Sequence, residues 1–590
     1  MPFLLIKLIM KMKEKIKNVG TQNFESLLGD FQKTNYKNWE KLSNELLNNK
    51  LDDYVNKLYE SITTKPIYFK DDIINLYEQT KSLPGLYPYI RGNKLSNSYK
   101  WEIAQEIPLP LPVEFNKSLI ENLLNGQNAI SIIPDDASAS GFNPEESIRI
   151  KIGRNGTSIF ISDDFENALK NINIEEYPIY IKSSTNLSSI ASVFFAYILK
   201  NKVNLKNLSG GFHYDPLSVL AQKHEYPYNY ELLFDEIVSL INWLYSKKCP
   251  FSVITINGNL FNEAGGNAVQ ELAFSMSETV LYLKELINRG IDINESAKRI
   301  RLSFSIGPNF FVELSKLRAA RMLWAKIIKH FGGNEESQKV FIHAETCKWN
   351  KTRQDPYVNI LRNTGEAFSA ILGGCDSLNL QYFDNAYGIP NEFSRRITRN
   401  TQLVLMEECD LTGITDIPGG SWFIENLTNE LAKNAWKLFQ EVEKQGGFYK
   451  ALDNGFIKEE IEKVKYERLF NFTKKKDVLI GTNMYTNPNE CHPERSRRAI
   501  ETTETDYNGI FKHRHSTLRA FMEKRDNMEV SKLLDILNDT VNDNPANSFE
   551  VALNAINEGA TLGEISKPFN IKFNATIKNP IEKMKLSELF

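Results

Sequence analysis

From about residue 129 onward, short and largely apolar runs alternate with longer segments whose apolar residues recur every three or four positions. The runs are Ala129–Ile133, Thr157–Ile161, Ile179–Lys182, Leu205–Phe212, Ser252–Ile256, Arg301–Ile306, Val340–Ala344 and Ser377–Leu380. Runs this short and this apolar suit parallel strands covered on both faces. Between them lie helical patterns such as Phe310, Leu314, Leu317, Arg321, Trp324 and Ile328. Eight strands each followed by a helix predict a (β/α)8 barrel rather than an open sheet. Thr157–Ile161 is the weakest of the eight.

One unit is especially clear. Phe251–Ile256 reads as a strand, and Val269, Leu272, Met276, Val280, Leu283 and Ile287 form one apolar stripe on a helix. The loop between them occupies the place where a barrel of this kind puts its chemistry. It runs from Asn257 to Gly266, with no His, Tyr or Lys and with Glu263 as its one carboxylate.

The 590 residues exceed one ordinary domain, although a large barrel can absorb several hundred. A net charge of −3 with interspersed signs offers no footprint for nucleic acid. Cys249, Cys347, Cys375, Cys409 and Cys491 are scattered and never form a CxxC pair, which predicts a reducing compartment without disulfides or a zinc site. The opening MPFLLIKLIMKMK is too short to span a bilayer and lacks a small-residue cleavage site, so a cytoplasmic chain without membrane attachment is expected.

The expected divisions are a helical arm over 1–65 (Phe24, Leu28, Phe31, Trp39, Leu42), the barrel over 66–425 and a helical extension over 426–486. Val478–Ile480 reads as an added strand within that extension. A polar, charge-dense insertion over 487–508 is expected to be disordered, and a helical region fills 509–590. Cys491 and His492 in the insertion fall short of the four ligands a structural metal site needs.

Several longer motifs occur in order: LPGLYPYIRG (Leu83–Gly92) followed by Trp101, Asn262-Glu263-Ala264-Gly265, RLSFSIGPNFFVELSKLRAARMLWA (Arg301–Ala325), the stretch from Gln354 to Ser421, and ATLGEIS (Ala560–Ser566). Together they resemble the methylmalonyl-CoA mutases over about residues 65–566. The resemblance implies a barrel that binds a CoA thioester through its centre, and a separate domain holding adenosylcobalamin on a His within Asp-x-His-x-x-Gly. It also implies a substrate-contacting Tyr-His pair in a loop after a barrel strand. In this sequence no Asp-x-His occurs, and only 24 residues follow Ser566, against the hundred or so of a cofactor domain.

The Tyr-His positions are occupied by Asn259 and Leu260. Leu260 can neither hydrogen-bond a thioester carbonyl nor move a proton. The segment between Gly92 and Trp101 is also short, and Tyr99 does not replace the family's other active-site Tyr. The resemblance therefore implies the small (beta), non-catalytic subunit of a heterodimeric mutase. In that reading the chain belongs to an adenosylcobalamin-dependent isomerase but has no catalytic residue of its own. It binds no cofactor alone, and it pairs with a larger catalytic subunit that holds the adenosylcobalamin. The alternatives are a regulatory CoA-thioester-binding barrel, or the barrel half of a split cobalamin-dependent acyl-CoA mutase.

Individual residues are weighed within that frame. Arg301 and Ser303 match positions that contact CoA in the family, and a retained structural ion pair is the plainer role for Arg301. His343 matches a His at a strand end near the family's active site, and a hydrogen-bonded His in a filled barrel is preferred. Glu263 suits a helix start better than general-base work. Gly373-Gly374 and Gly419-Gly420 suit tight turns. His213 and His224 suit the surface, while Arg318 and Arg321 suit ion pairs on a helix face or subunit contacts.

Overall fold

The computed structural model describes residues 35–48, 51–95, 100–147, 151–183, 185–223, 225–226, 229–386, 389–487, 505–569 and 575–584. It divides into two units, Met1–Asp72 and Ile73–Phe590. In the first, the helix Tyr36–Leu46 is capped by the Asn35 side chain, which accepts from the Asn38 amide at 3.0 Å. A two-stranded antiparallel ladder, Asn56–Lys57 with Thr63–Thr64, follows, and Lys65 pairs with Asp72 at 2.5 Å. The expected helical positions Phe24, Leu28 and Phe31 lie outside the described residues.

The second unit is built on eight parallel strands: β1 Glu102–Ile103, β2 Ile130–Ile132, β3 Ile179–Ser183, β4 Gly210–Tyr214, β5 Ser252–Asn257, β6 Ile300–Ile306, β7 Ile342–Thr346 and β8 Ser377–Asn379. Their spatial order is β1-β8-β7-β6-β5-β4-β3-β2. A parallel bridge between Glu106, just past β1, and Ser131 of β2 brings the ends together. The result is the expected α/β barrel, closed so that no long edge is left open.

Two strand assignments change. Thr157–Ile161 makes only a single bridge, Thr157 with Pro134, and its apolar end turns away to pack Phe160 and Ile161 against Leu518. The barrel's first strand is instead Glu102–Ile103, two residues long and half polar, too short for an alternation pattern to mark it. The strand expected over 205–212 begins only at Gly210, whose φ of +117° brings it so near β3 that a Cβ there would lie 1.9 Å from the Ile179 carbonyl oxygen.

The helix Leu187–Lys200 is buried from Leu187 to Ile198, far more than one amphipathic face, because later helices cover it. Phe549 on the helix Ser548–Asn557 meets Phe195 edge-on at 6.1 Å, and Ser566 bonds Ser189 at 2.9 Å. The helix Trp422–Lys444 begins before the boundary expected at 425 and lies against the helices Ala268–Asn288 and Phe310–His330. Arg318, fully buried, joins it to the barrel by reaching Glu425 at 2.8 Å and pairing with Asp416. Val478–Ile480 is no strand, and only Ile480 bridges, to Met484. Most of the expected insertion, including Cys491 and His492, lies outside the described residues, and the helix Tyr507–Met522 begins within its last two residues. No helix among the described residues is long and apolar enough to cross a membrane.

The helix Leu187–Lys200 has no side-chain cap of its own, and Glu236 supplies one from the helix Tyr230–Ser246. Its carboxylate accepts from the Ser188 amide at 2.7 Å and from the Tyr214 hydroxyl at 3.1 Å. Burial nevertheless pushes its carboxyl up to about 7, because these bonds do not repay the lost hydration. A folded carboxyl above its unfolded value gives stability that is present in acid and lost as pH rises through the folded value. Glu236→Gln, which can keep both contacts, is expected to be more stable than the parent at pH 8 by about 2–3 kcal/mol, with the difference gone near pH 4. Urea unfolding of both proteins at the two pH values measures it.

Candidate functional site

Parallel strands rise to one face, so the loops after them share a mouth. After β5 the chain forms a short helix, Asn259–Glu263, before Asn267 and Gln270 cap the helix Ala268–Asn288 reciprocally. Asn259 donates from Nδ2 to Ser303 Oγ at 2.8 Å and to Glu345 Oε2 at 3.3 Å. Leu260 beside it is 1% exposed.

Inward side chains come from two-residue steps along the strands: Tyr180 and Lys182, Arg301 and Ser303, His343 and Glu345. At the lower end Arg301 is wedged between two rings, its guanidinium 4.9 Å from the Tyr180 centroid and 4.3 Å from that of Phe341. It donates to the Gly210 carbonyl at 2.7 Å. The Tyr180 hydroxyl donates to Glu102, closing the layer from the opposite side.

Above this floor the His213 and His343 rings meet edge to face, centroids 5.0 Å apart, and His343 Nδ1 lies 2.7 Å from Ser377 Oγ. Burial holds both neutral: His213 falls well below its ordinary value and His343 to about 4. Glu345 gathers the next layer, accepting from Gln381 Nε2 at 2.6 Å and Asn379 Nδ2 at 3.1 Å, with Lys348 at 3.5 Å and Lys182 at 3.9 Å. Burial opposes its charge, but Lys182 and Lys348 outweigh that and hold its carboxyl far below the usual range. Lys182 also pairs with Glu106.

Over this lies a cavity of about 310 Å³. One wall comes from the strap 575–584. The strap is tied down by Ile581 N–H to the Ala221 carbonyl at 2.8 Å, Met584 N–H to the Glu263 carbonyl at 2.7 Å, and Lys583 to the Glu263 carboxylate at 2.5 Å.

The fold thus gathers Asn259, Leu260, Arg301, Ser303 and His343 around one axis. Arg301 meets aromatic rings and a carbonyl there, while Ser303 meets Asn259. Glu263 closes the short helix and faces Lys583 and Lys348; the cap expected of it is made by Asn267. His213 is inside the barrel rather than on the surface, since it is an inward position of β4. His224 and Tyr99 lie outside the described residues. Gly374 and Gly420 are turn residues with φ of +79° and +85°. Arg321 donates to the carbonyls of Gly373 and Gly374 rather than to a carboxylate.

Lys182 and Glu345 escaped sequence reasoning, although polar residues two apart in otherwise apolar strands were their signal. Lys583 gave none.

A family model described as methylmalonyl-CoA mutase matches residues 57–575. The chain belongs to the methylmalonyl-CoA mutase family. It is 30% identical over 548 residues to the methylmalonyl-CoA mutase of Escherichia coli (strain K12), covering 92% of this chain and 76% of that one. It is 32% identical over 512 residues to the methylmalonyl-CoA mutase large subunit of Porphyromonas gingivalis, covering 86% and 70%. With the mitochondrial methylmalonyl-CoA mutase of Bos taurus it shares 29% identity over 553 residues, 93% and 72% of the two chains.

Methylmalonyl-CoA mutases are isomerases, and the family is cobalamin-dependent. The two histidines inside the barrel do not suit a ligand to a corrin, because they are packed on each other and on Tyr180 beneath a cavity of only about 310 Å³.

Proposed function

We propose that this chain is the small, non-catalytic subunit of a heterodimeric methylmalonyl-CoA mutase. A larger, related subunit would hold adenosylcobalamin and interconvert methylmalonyl-CoA and succinyl-CoA. The observation that carries this reading is the barrel floor, where Arg301, stacked between Tyr180 and Phe341, lies inside the ring of strands through which the family threads its thioester. Asn259 and Leu260 support it from the other end. In place of a Tyr-His pair stand an amide turned onto Ser303 and a buried alkyl group with no proton to give.

The Porphyromonas gingivalis relative is a large subunit, which supports a two-subunit organisation here. The work of the chain is then to hold its partner's geometry. Pairing of related barrels buries a large surface, and obligate interfaces commonly exceed about 2,000 Å². A partner that binds only the folded catalytic chain stabilises it by mass action. The scattered cysteines, with no disulfide among Cys249, Cys347, Cys375 and Cys409, support a cytoplasmic pair.

Equilibrium dialysis of this chain with methylmalonyl-CoA tests the reading, and no saturable binding is expected. Binding that disappears in Arg301→Ala would instead favour a barrel that regulates its partner through the thioester.

A further inference from the structure

The strap 575–584 begins where the family match stops, at residue 575. Its course follows the rim of the barrel mouth. Thr576 pairs with Glu225 in a two-residue antiparallel ladder, and its carbonyl accepts from the Tyr449 hydroxyl at 3.1 Å. The Lys578 amide donates to Asp453 Oδ1 at 3.0 Å, and Asn579 Nδ2 donates to the Asp453 carbonyl at 2.8 Å. The Ile581 tie to Ala221 then secures the strap beyond β4, and the Lys583 and Met584 ties to Glu263 secure it beyond β5. Met584 packs with Phe472, Leu479 and Trp349, the last of these in the loop after β7. Lys583 lines the cavity itself.

Ile577, Ile581 and Met584 are buried, while Thr576, Lys578, Glu582 and Lys583 between them are exposed. The strap thus turns an apolar edge to the barrel and a polar edge to water. Among the described residues it owns no helix and no ladder longer than two residues. A segment held by a few side chains and single hydrogen bonds opens locally at lower cost than the strands beneath it. The cavity it walls, of about 310 Å³, stands at the small end of the range of about 300–1,000 Å³ for small-molecule sites. A corrin ring, wider than such ligands, does not enter it. Barrels of this kind place their chemistry at this mouth, so a wall that narrows it keeps a cofactor-bearing domain from working here.

We propose that the strap 575–584 is an autoinhibitory wall of the barrel mouth. In place, it keeps the mouth too narrow for a cobalamin-bearing domain. Swung away, it opens the chamber lined by His343, Glu345 and Lys348. The inference rests on the subunit reading for what is kept out: in a pair of related barrels, this one is closed to the cofactor.

Thiol labelling of the whole chain tests this. Val219→Cys places a thiol on the cavity wall, in a background carrying Cys409→Ser and Cys491→Ser. The reagents are N-ethylmaleimide and a maleimide joined by a short linker to cyanocobalamin, each rate taken relative to that with glutathione. With the strap in place, the cobalamin reagent is expected to react at least tenfold more slowly than the small one. Ile581→Asp with Met584→Asp releases the strap and is expected to close that gap to less than threefold. Equal rates with the strap in place, or a gap that persists in a folded released variant, overturn the proposal. Hydrogen exchange of the parent needs no variant: the Ile581 and Met584 amides should exchange at least a hundredfold faster than that of Ile254 in β5. Exchange as slow as Ile254 would make the strap a fixed part of the barrel and overturn the proposal as well. Both readouts use this chain without a partner, so their failure leaves the subunit reading standing. Turnover by the chain alone would end that reading and leave the labelling as measured.

Discussion

Lys316→Met is expected to lower the unfolding free energy by about 3–5 kcal/mol at neutral pH. Lys316 lies fully buried on the helix Phe310–His330, where its ammonium meets Glu271 at 2.7 Å, pairs with Glu313 and donates to the Ser305 carbonyl at 2.5 Å. Burial works against the charge, yet Glu271 and Glu313 together raise the hold on its proton. Glu271, in turn, is pushed up to about 7, because burial and the second carboxylate outweigh the single ammonium.

Taking the ammonium away leaves two carboxyls facing each other without water. The Ser305 amide, donating to Glu271 at 2.7 Å, is the one strong stabiliser left to them. Protonation relieves this, so the loss should be smaller at pH 5 than at pH 8. Adding Glu271→Gln and Glu313→Gln to Lys316→Met should recover most of the stability. Urea unfolding of the parent, the single variant and the triple variant makes the comparison, and a loss below about 1 kcal/mol at pH 8 would show that the three groups do not act as one buried unit.

Arg301→Ala is the other large effect, expected at about 2–4 kcal/mol. The guanidinium makes two ring contacts, worth about 0.5–2 kcal/mol each when desolvated, and satisfies the Gly210 carbonyl. Its removal also leaves a void that the rigid ring of strands cannot close. Arg301→Met, which refills part of the space without the charge, should recover about 1–2 kcal/mol of the loss. Equal stabilities for the parent and Arg301→Ala would mean that the side chain is not wedged between the two rings.

Much of the architecture was legible because its signals are local. The strand and the long helix of Phe251–Leu283 came through, since the apolar run and the period of 3.6 both sit within one short stretch, while the loop between them holds the short helix Asn259–Glu263. Glu102–Ile103 did not, because two residues cannot show a period, and Thr157–Ile161 imitated a strand because its apolar residues serve a different contact, with Leu518. The site was legible in part. Asn259, Leu260, Arg301, Ser303 and His343 were reached through motif resemblance, and the fold brings all five to the barrel. His213 was placed on the surface from its polar, aromatic neighbours, and only strand register reveals that it points inward. Lys583 lies 320 residues from Glu263 in the chain, and no sequence pattern announces a pairing that the strap makes by crossing the mouth.

The central claim is that the chain does no catalysis of its own. The measurement that meets it most directly is mutase turnover and adenosylcobalamin binding, first for this chain alone and then after co-expression with the larger subunit from the same genome. The account predicts a silent chain, and an active pair with one cobalamin per heterodimer. Turnover by this chain alone, or with only a separate cobalamin domain added, would contradict it and would mean that Asn259 and Leu260 do not disable the site.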